Sequence, residues 1–134
     1  MRVDKVRVLL IEDELVCQTR EKKILEEYGF IVDVASNATE GLDLLHDRAF
    51  HPFERGYDAI FMDIMLPDIN GDALTKVIRQ TDETAKFIPI IAVTGQKLSA
   101  EDRQLFVQVG ITDIIIKPMT KETLDSVLVK YKRI

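Results

Sequence analysis

Four places in this sequence put a reactive side chain directly after a short apolar run. Asp63 follows Ala59-Ile60-Phe61-Met62, and the acids Glu12-Asp13-Glu14 follow Val6-Arg7-Val8-Leu9-Leu10-Ile11. Thr94 ends Pro89-Ile90-Ile91-Ala92-Val93-Thr94, and Lys117 comes at the end of Asp113-Ile114-Ile115-Ile116. Runs of this kind read as strands of a parallel sheet buried on both faces, and open α/β sheets place their chemistry at the strands' carboxyl ends. An acid at a helix N-terminus gains roughly 0.3–1 kcal/mol from the dipole, which accounts for one or two of Glu12, Asp13 and Glu14. It does not account for a further carboxylate beside them. Two carboxylates about 4 Å apart repel by roughly 4 kcal/mol at an effective dielectric near 20. A divalent cation is the natural counter-ion, and all-oxygen ligation without Cys or His suits Mg²⁺, with Mn²⁺ as a substitute. A cation, a lysine and a hydroxyl around one carboxylate make a phosphoryl-transfer site in which Asp63 can be the nucleophile and form an acyl phosphate. Mg²⁺ and Lys117 would neutralise charge on the equatorial oxygens, and Thr94 would donate a hydrogen bond to one of them. Gly95 has no side chain to block an approaching donor.

The elements that must position these residues alternate along the chain. Strands are expected over Val6–Ile11, Phe30–Ala35, Ala59–Met62, Pro89–Thr94 and Asp113–Pro118. Between and after them run amphipathic stretches. The first carries Val16, Cys17, Ile24, Leu25 and Tyr28 and ends at Gly29, where a helix cap is expected. The second opens on Asn37-x-x-Glu40, a capping-box pattern, and continues with Ala38, Gly41, Leu42, Leu45 and Ala49 on one face. A Pro67…Gly71 loop precedes the third, with Leu74, Val77 and Ile78. The fourth opens on Ser99-x-x-Asp102, turns Leu105, Phe106 and Val109 inward, and stops at Gly110. The last has Leu124, Val127, Leu128 and Tyr131 at helical spacing, with Lys130, Lys132 and Arg133 at its negative end. Such alternation implies a doubly wound α/β fold: a single five-stranded parallel sheet with five helices, strand order 2-1-3-4-5. In that order Glu12 and Asp13 face Asp63 across the switch-point crevice. The Ala49–Gly56 connection is longer than usual and reads as a helical extension or a docking loop.

The totals bound the function. At 134 residues, 46% hydrophobic and 31% charged, the chain suits one globular domain, 1–134, with no output domain. The net charge of −5 argues against nucleic-acid and membrane affinity. Cys17 is the single cysteine, so no disulfide framework or thiolate metal cluster is expected, and no apolar run is long enough to span a bilayer. The N-terminal charges Arg2, Asp4, Lys5 and Arg7 leave no secretory core, which makes the cytoplasm the expected compartment.

On Ile11-Glu12-Asp13, Met62-Asp63-Ile64-Met65-Leu66-Pro67-Asp68-Ile69-Asn70-Gly71, Val93-Thr94-Gly95 and Ile116-Lys117-Pro118, the chain resembles the receiver domain of two-component signalling. The likeness runs from about Lys5 to Lys132 and implies a flavodoxin-like fold. It also implies that Asp63 is the phospho-acceptor, that Asp13, Asp63 and the Met65 carbonyl hold Mg²⁺, and that Glu12 acts through a metal-bound water. Thr94 would be the switch hydroxyl, Lys117 the phosphoryl clamp, and the Lys117–Pro118 bond cis. The partners would be a histidine kinase or a histidine phosphotransfer domain, with the receiver catalysing its own phosphorylation and slow dephosphorylation. Many receivers carry Tyr or Phe where this chain has Ile114. That departure favours a phosphorelay module that stays monomeric, from a hybrid kinase, over a stand-alone regulator. Leu15, Pro118 and Ile64–Leu66 would form the apolar rim of its docking face.

Other chemistries fit less well. A flavin carrier needs a phosphate loop that Glu12-Asp13-Glu14 would repel. A haloacid-dehalogenase-type phosphatase wants a second acid where Met65 stands, and a binding-only adaptor has no use for Asp63, Thr94 and Lys117 together. Cys17 reads as a small buried hydrophobe, His46 and His51 as solvated, Met62 and Met65 as packing groups, and Asp68 as a turn former.

Overall fold

A computed structural model describes residues 6–50, 56–81 and 86–131. Along the chain lie β1 (Arg7–Ile11), α1 (Leu15–Glu27), β2 (Ile31–Ala35), α2 (Ala38–Phe50) and β3 (Ala59–Asp63). They are followed by α3 (Gly71–Thr81), β4 (Ile90–Thr94), α4 (Ala100–Val109), β5 (Asp113–Ile116) and α5 (Lys121–Leu128). The strands form one parallel sheet in the order β2-β1-β3-β4-β5. The expected architecture is therefore present, with strand limits differing by a residue or two.

The apolar runs are continuous because both faces of the sheet are covered. On one side Leu9, Ile11, Ile60 and Met62 pack against Leu45 of α2 and against Leu74 and Ile78 of α3. Phe106 of α4 joins that side over Ala92. On the other side Val8, Leu10, Phe61 and Val93 pack against Leu25 of α1 and against Leu124 and Val127 of α5. Successive strand residues thus alternate between two helical layers, as the period of the strand requires.

The helix ends follow the sequence signals in part. Ser99 and Asp102 make both hydrogen bonds of a capping box, and Gly29 and Gly110 have φ of 88° and 106°, which an L side chain rarely adopts. At α2 the box is incomplete. The Glu40 amide donates to Asn37 Oδ1, but Glu40 Oε2 accepts from the Ser36 amide. Leu105, expected inward, is exposed, and so is Val16 of the first amphipathic stretch. Phe106, also expected inward, is buried. α5 ends at Leu128, so Tyr131 lies beyond the helix, but it still packs against the cluster of Leu124 and Val127, and its hydroxyl donates to the Thr112 carbonyl.

Part of the Ala49–Gly56 connection is helix, since α2 runs to Phe50. Residues 51–55 of that connection lie outside the described residues, as do His51, Arg2, Asp4, Lys5, Lys132 and Arg133.

Candidate functional site

Register places the reactive side chains. Ile11 pairs with Met62, so Glu12 and Asp63 leave neighbouring strands at the same height. Asp63 pairs with Val93, one residue before Thr94. Thr94 pairs with Ile116, and the Lys117 amide donates to the Thr94 carbonyl, which continues the ladder to the lysine although β5 has ended. All of them reach the carboxyl edge.

At that edge the carboxylates of Glu12, Asp13 and Asp63 lie within 4.8 Å of one another. Glu12 and Asp63 are 1% and 8% exposed, whereas Asp13 faces solvent. Lys117 Nζ donates to Glu12 Oε1 at 2.5 Å and to Asp63 Oδ2 at 3.4 Å, so two buried carboxylates share one ammonium. The remaining oxygens are also engaged: Asp63 Oδ1 accepts from the Met65 amide and Glu12 Oε2 from the Glu14 amide.

Burial pushes the Glu12 carboxyl up to about 7 against the opposing pull of Lys117, and the neighbouring Asp63 adds to the rise. Burial draws the Lys117 ammonium down, but its hydrogen bond to Glu12 and the nearby acids outweigh this and leave it raised. The cluster is short of positive charge. An all-oxygen donor set of this kind, with an exposed carboxylate at its mouth, fits a hard divalent cation.

Gly71 lets the site close. Its amide donates to the Ile64 carbonyl, and a Cβ there would sit 2.6 Å from the Asp63 carbonyl oxygen. Thr94 is fully buried at the end of β4, with its hydroxyl accepting from the Gln96 amide. The Lys117–Pro118 peptide is cis.

Several side chains depart from expectation. The Met65 side chain is 54% exposed, so it is not a packing group, while Ile64 and Leu66 are buried and cannot form a docking rim. Alternation along this loop turns its odd member outward. Leu15, Met65 and Pro118 are the exposed apolar residues around the acids. Cys17 is half-buried, not enclosed, and His46 is exposed.

Asp68 does form part of the turn but also caps α2. Its carboxylate accepts from the Ala38 amide at 2.9 Å, the Thr39 amide at 3.0 Å and the Thr39 hydroxyl at 3.0 Å. The Ala38 bond, with the Thr39 bonds, holds the carboxyl down at about 2. It thereby ties the loop after β3 to a helix thirty residues upstream. Sequence reasoning also missed Glu21, buried on the inner face of α1. It lies four residues after Cys17 and four before Leu25, and that spacing was its one signal.

A doubly wound sheet with an acid cluster and a lysine at its switch point defines a class of protein, and comparison with known sequences agrees. The pattern of the response regulator receiver domain matches residues 8–129, and the chain belongs to that family. It is a receiver domain of two-component signalling. It is 34% identical to the transcription factor SKN7 of Saccharomyces cerevisiae over 92% of its length, and 33% identical to probable histidine kinase 2 of Oryza sativa subsp. japonica over 91%. The chain spans 18% and 12% of the length of those proteins. Among solved structures, the Vibrio cholerae chemotaxis protein CheY4 superposes with a TM-score of 0.83 at 26% identity, covering 95% of this chain and 98% of that one. The receiver domain of the Pseudomonas aeruginosa sensor histidine kinase PA1611, with a magnesium ion coordinated in its active-site cleft, superposes with a TM-score of 0.76 at 30% identity. That match covers 96% of this chain and 98% of that one. Receiver domains generally use Mg²⁺ at an acidic site and interact with histidine kinases or phosphotransfer proteins. No helix among the described residues is long and apolar enough to cross a membrane.

Proposed function

We propose that the chain is a phosphorelay receiver that takes a phosphoryl group from a phosphohistidine onto Asp63. The observation that carries this is the buried Asp63 carboxylate, which shares the Lys117 ammonium with Glu12 beside the solvent-facing Asp13. An Asp63 oxygen attacks phosphorus while the bond to the histidine nitrogen breaks, and the electron pair leaves on the imidazole. Lys117 turns its ammonium to the transferred oxygens, and the Thr94 hydroxyl donates to another of them. Asp13, Asp63 and the Met65 carbonyl would hold Mg²⁺ directly and Glu12 through water, with Mn²⁺ as a substitute. When bound, the ion supplies positive charge against the oxygens in transfer. The magnesium ion of the Pseudomonas receiver supports that choice. Water later attacks the acyl phosphate and returns Asp63 to its free form, so the domain catalyses its own slow dephosphorylation.

Residues 1–134 act in this reading as one domain within a hybrid kinase or phosphorelay, in the cytoplasm, where the Cys17 thiol stays reduced. The histidine kinase relative supports that setting. Ile114 supports it too, since it packs with Phe106 and Ile111 where an aromatic switch would otherwise turn.

Incubation with a histidine phosphotransfer domain carrying labelled phosphohistidine tests the reading. Label should pass to the wild type with Mg²⁺ and not to Asp63→Asn. Sedimentation of the beryllium fluoride adduct should show a monomer. A dimer would favour a stand-alone response regulator acting by phosphorylation-dependent binding, and transfer to Asp63→Asn would contradict the site.

A further inference from the structure

Behind the acid cluster lies a group that phosphoryl transfer does not use. Glu21 is 2% exposed, and its Oε1 has no hydrogen-bond partner in the described structure. Buried polar atoms are nearly always paired, because leaving one unpaired is costly. A leucine at this helix position would avoid the cost, so the neighbours of the carboxylate are what give it meaning. Cys17 stands one turn earlier on the same face of α1, and the ligand atoms of Glu12, Cys17 and Glu21 all lie within 4.8 Å of one another. Glu12 comes from the end of β1, so strand and helix bring three ligand-bearing side chains together, and one of them, Glu21, carries the orphaned oxygen.

We propose that Glu12, Cys17 and Glu21 form a second cation site, which takes a thiolate-binding divalent ion of the zinc class. A thiolate and two carboxylates are three protein ligands of the kind zinc accepts, with a fourth position left for water. Mg²⁺, a hard cation, does not take sulfur, so the two sites select different ions. The Cys17 thiol carries its proton at neutral pH, as an ordinary cysteine does. The incoming ion displaces that proton: the Sγ–H bond gives way to a metal–thiolate bond, and the proton leaves to water.

Glu12 belongs to both clusters. Its Oε1 is paired with Lys117, and an ion that draws it towards α1 takes it from Lys117 and from the acids around Asp63. A zinc-class ion therefore opposes phosphorylation. Ion binding itself stands apart from the receiver reading; only this opposition rests on it.

Reduced, chelator-stripped full chain titrated with Cd²⁺ alone reads the site through the ultraviolet thiolate-to-metal charge-transfer band. The wild type should take up a single Cd²⁺ with that band, and Cys17→Ser should lose the band. Glu21→Gln should bind about tenfold more weakly or worse. Glu21→Leu, which removes the orphaned oxygen, should melt no lower than wild type and show the same weakening. No band in the wild type, or wild-type affinity in both Glu21 variants, would overturn the site. Zn²⁺ at fixed Mg²⁺ should slow phosphorylation of the wild type by acetyl phosphate, and the slowing should vanish in Cys17→Ser. Binding with no slowing would overturn the opposition while leaving the receiver reading intact.

Discussion

The two edges of this sheet handle buried charge in opposite ways. At the amino edge a single side chain, Arg79 from α3, satisfies backbone carbonyls that the loops leave unpaired. Its guanidinium donates to the Gly110 carbonyl at 2.8 Å, the Ile88 carbonyl at 2.6 Å and the Lys86 carbonyl at 3.0 Å. At the carboxyl edge two buried carboxylates compete for one lysine, with a third acid exposed beside them. One edge spends its charge on closing hydrogen bonds. The other keeps like charges crowded, which costs stability and, in the proposed reading, favours the binding of a cation and a phosphoryl group. Strain concentrated where ligands bind, on a scaffold satisfied elsewhere, is the expected division between function and stability.

The contrast is broken most severely at the amino edge. Arg79→Ala should lower unfolding free energy by about 3 kcal/mol, since hydrogen bonds from a charged group each contribute about 1.5–3 kcal/mol. Urea denaturation checks this, and phosphorylation per folded molecule should be unchanged. Lys117→Ala should do the reverse, slowing phosphorylation by acetyl phosphate about 100-fold, the scale of losing one preorganised charge. A rate loss in Arg79→Ala, or none in Lys117→Ala, would erase the distinction.

The pH dependence of stability sharpens it. Burial, reinforced by the Glu12 charge, pushes the Glu21 carboxyl from 4.5 up to about 7, so the fold binds its proton more tightly than the unfolded chain does. The stability it contributes is full below 4.5 and is lost as pH rises through about 7. Chelated wild type should therefore lose stability between about pH 5 and about pH 8, with Glu21 accounting for on the order of 2 kcal/mol. Denaturation curves of Glu21→Gln should be flatter across that window. An equally steep fall in the variant would remove Glu21 from the account.

The smallest expected effect separates two acids of the same region. Asp13→Asn should weaken Mg²⁺ binding about tenfold, or about 1.4 kcal/mol, by removing a ligand charge. Asp68→Asn should change it little, because that carboxylate caps α2. Calorimetric titration compares the two, and equal losses would show the cation site misdrawn.

How much of this the sequence disclosed depends on how local each signal is. The strands and their reactive ends were legible because a two-sided burial leaves unbroken apolar runs, as at Ala59–Asp63 and Ile90–Thr94. Helix faces were less so. Leu105 and Phe106 are both apolar and adjacent on α4, and only the fold shows that Phe106 is the buried one. Val16 at the start of α1 is 72% exposed beside Leu15, so apolar character there marks surface and not core. Asp68 reads as turn chemistry because its partners are thirty residues away. Arg79 and Glu21 look like ordinary helix-surface charges until tertiary packing encloses them.

The most direct test of the central claim is intact-mass measurement after incubation with acetyl phosphate. Wild type with Mg²⁺ should gain a single phosphoryl mass, and neither Asp63→Asn nor chelated wild type should gain any. Equal phosphorylation of Asp63→Asn and wild type would contradict the assignment of Asp63 as the acceptor.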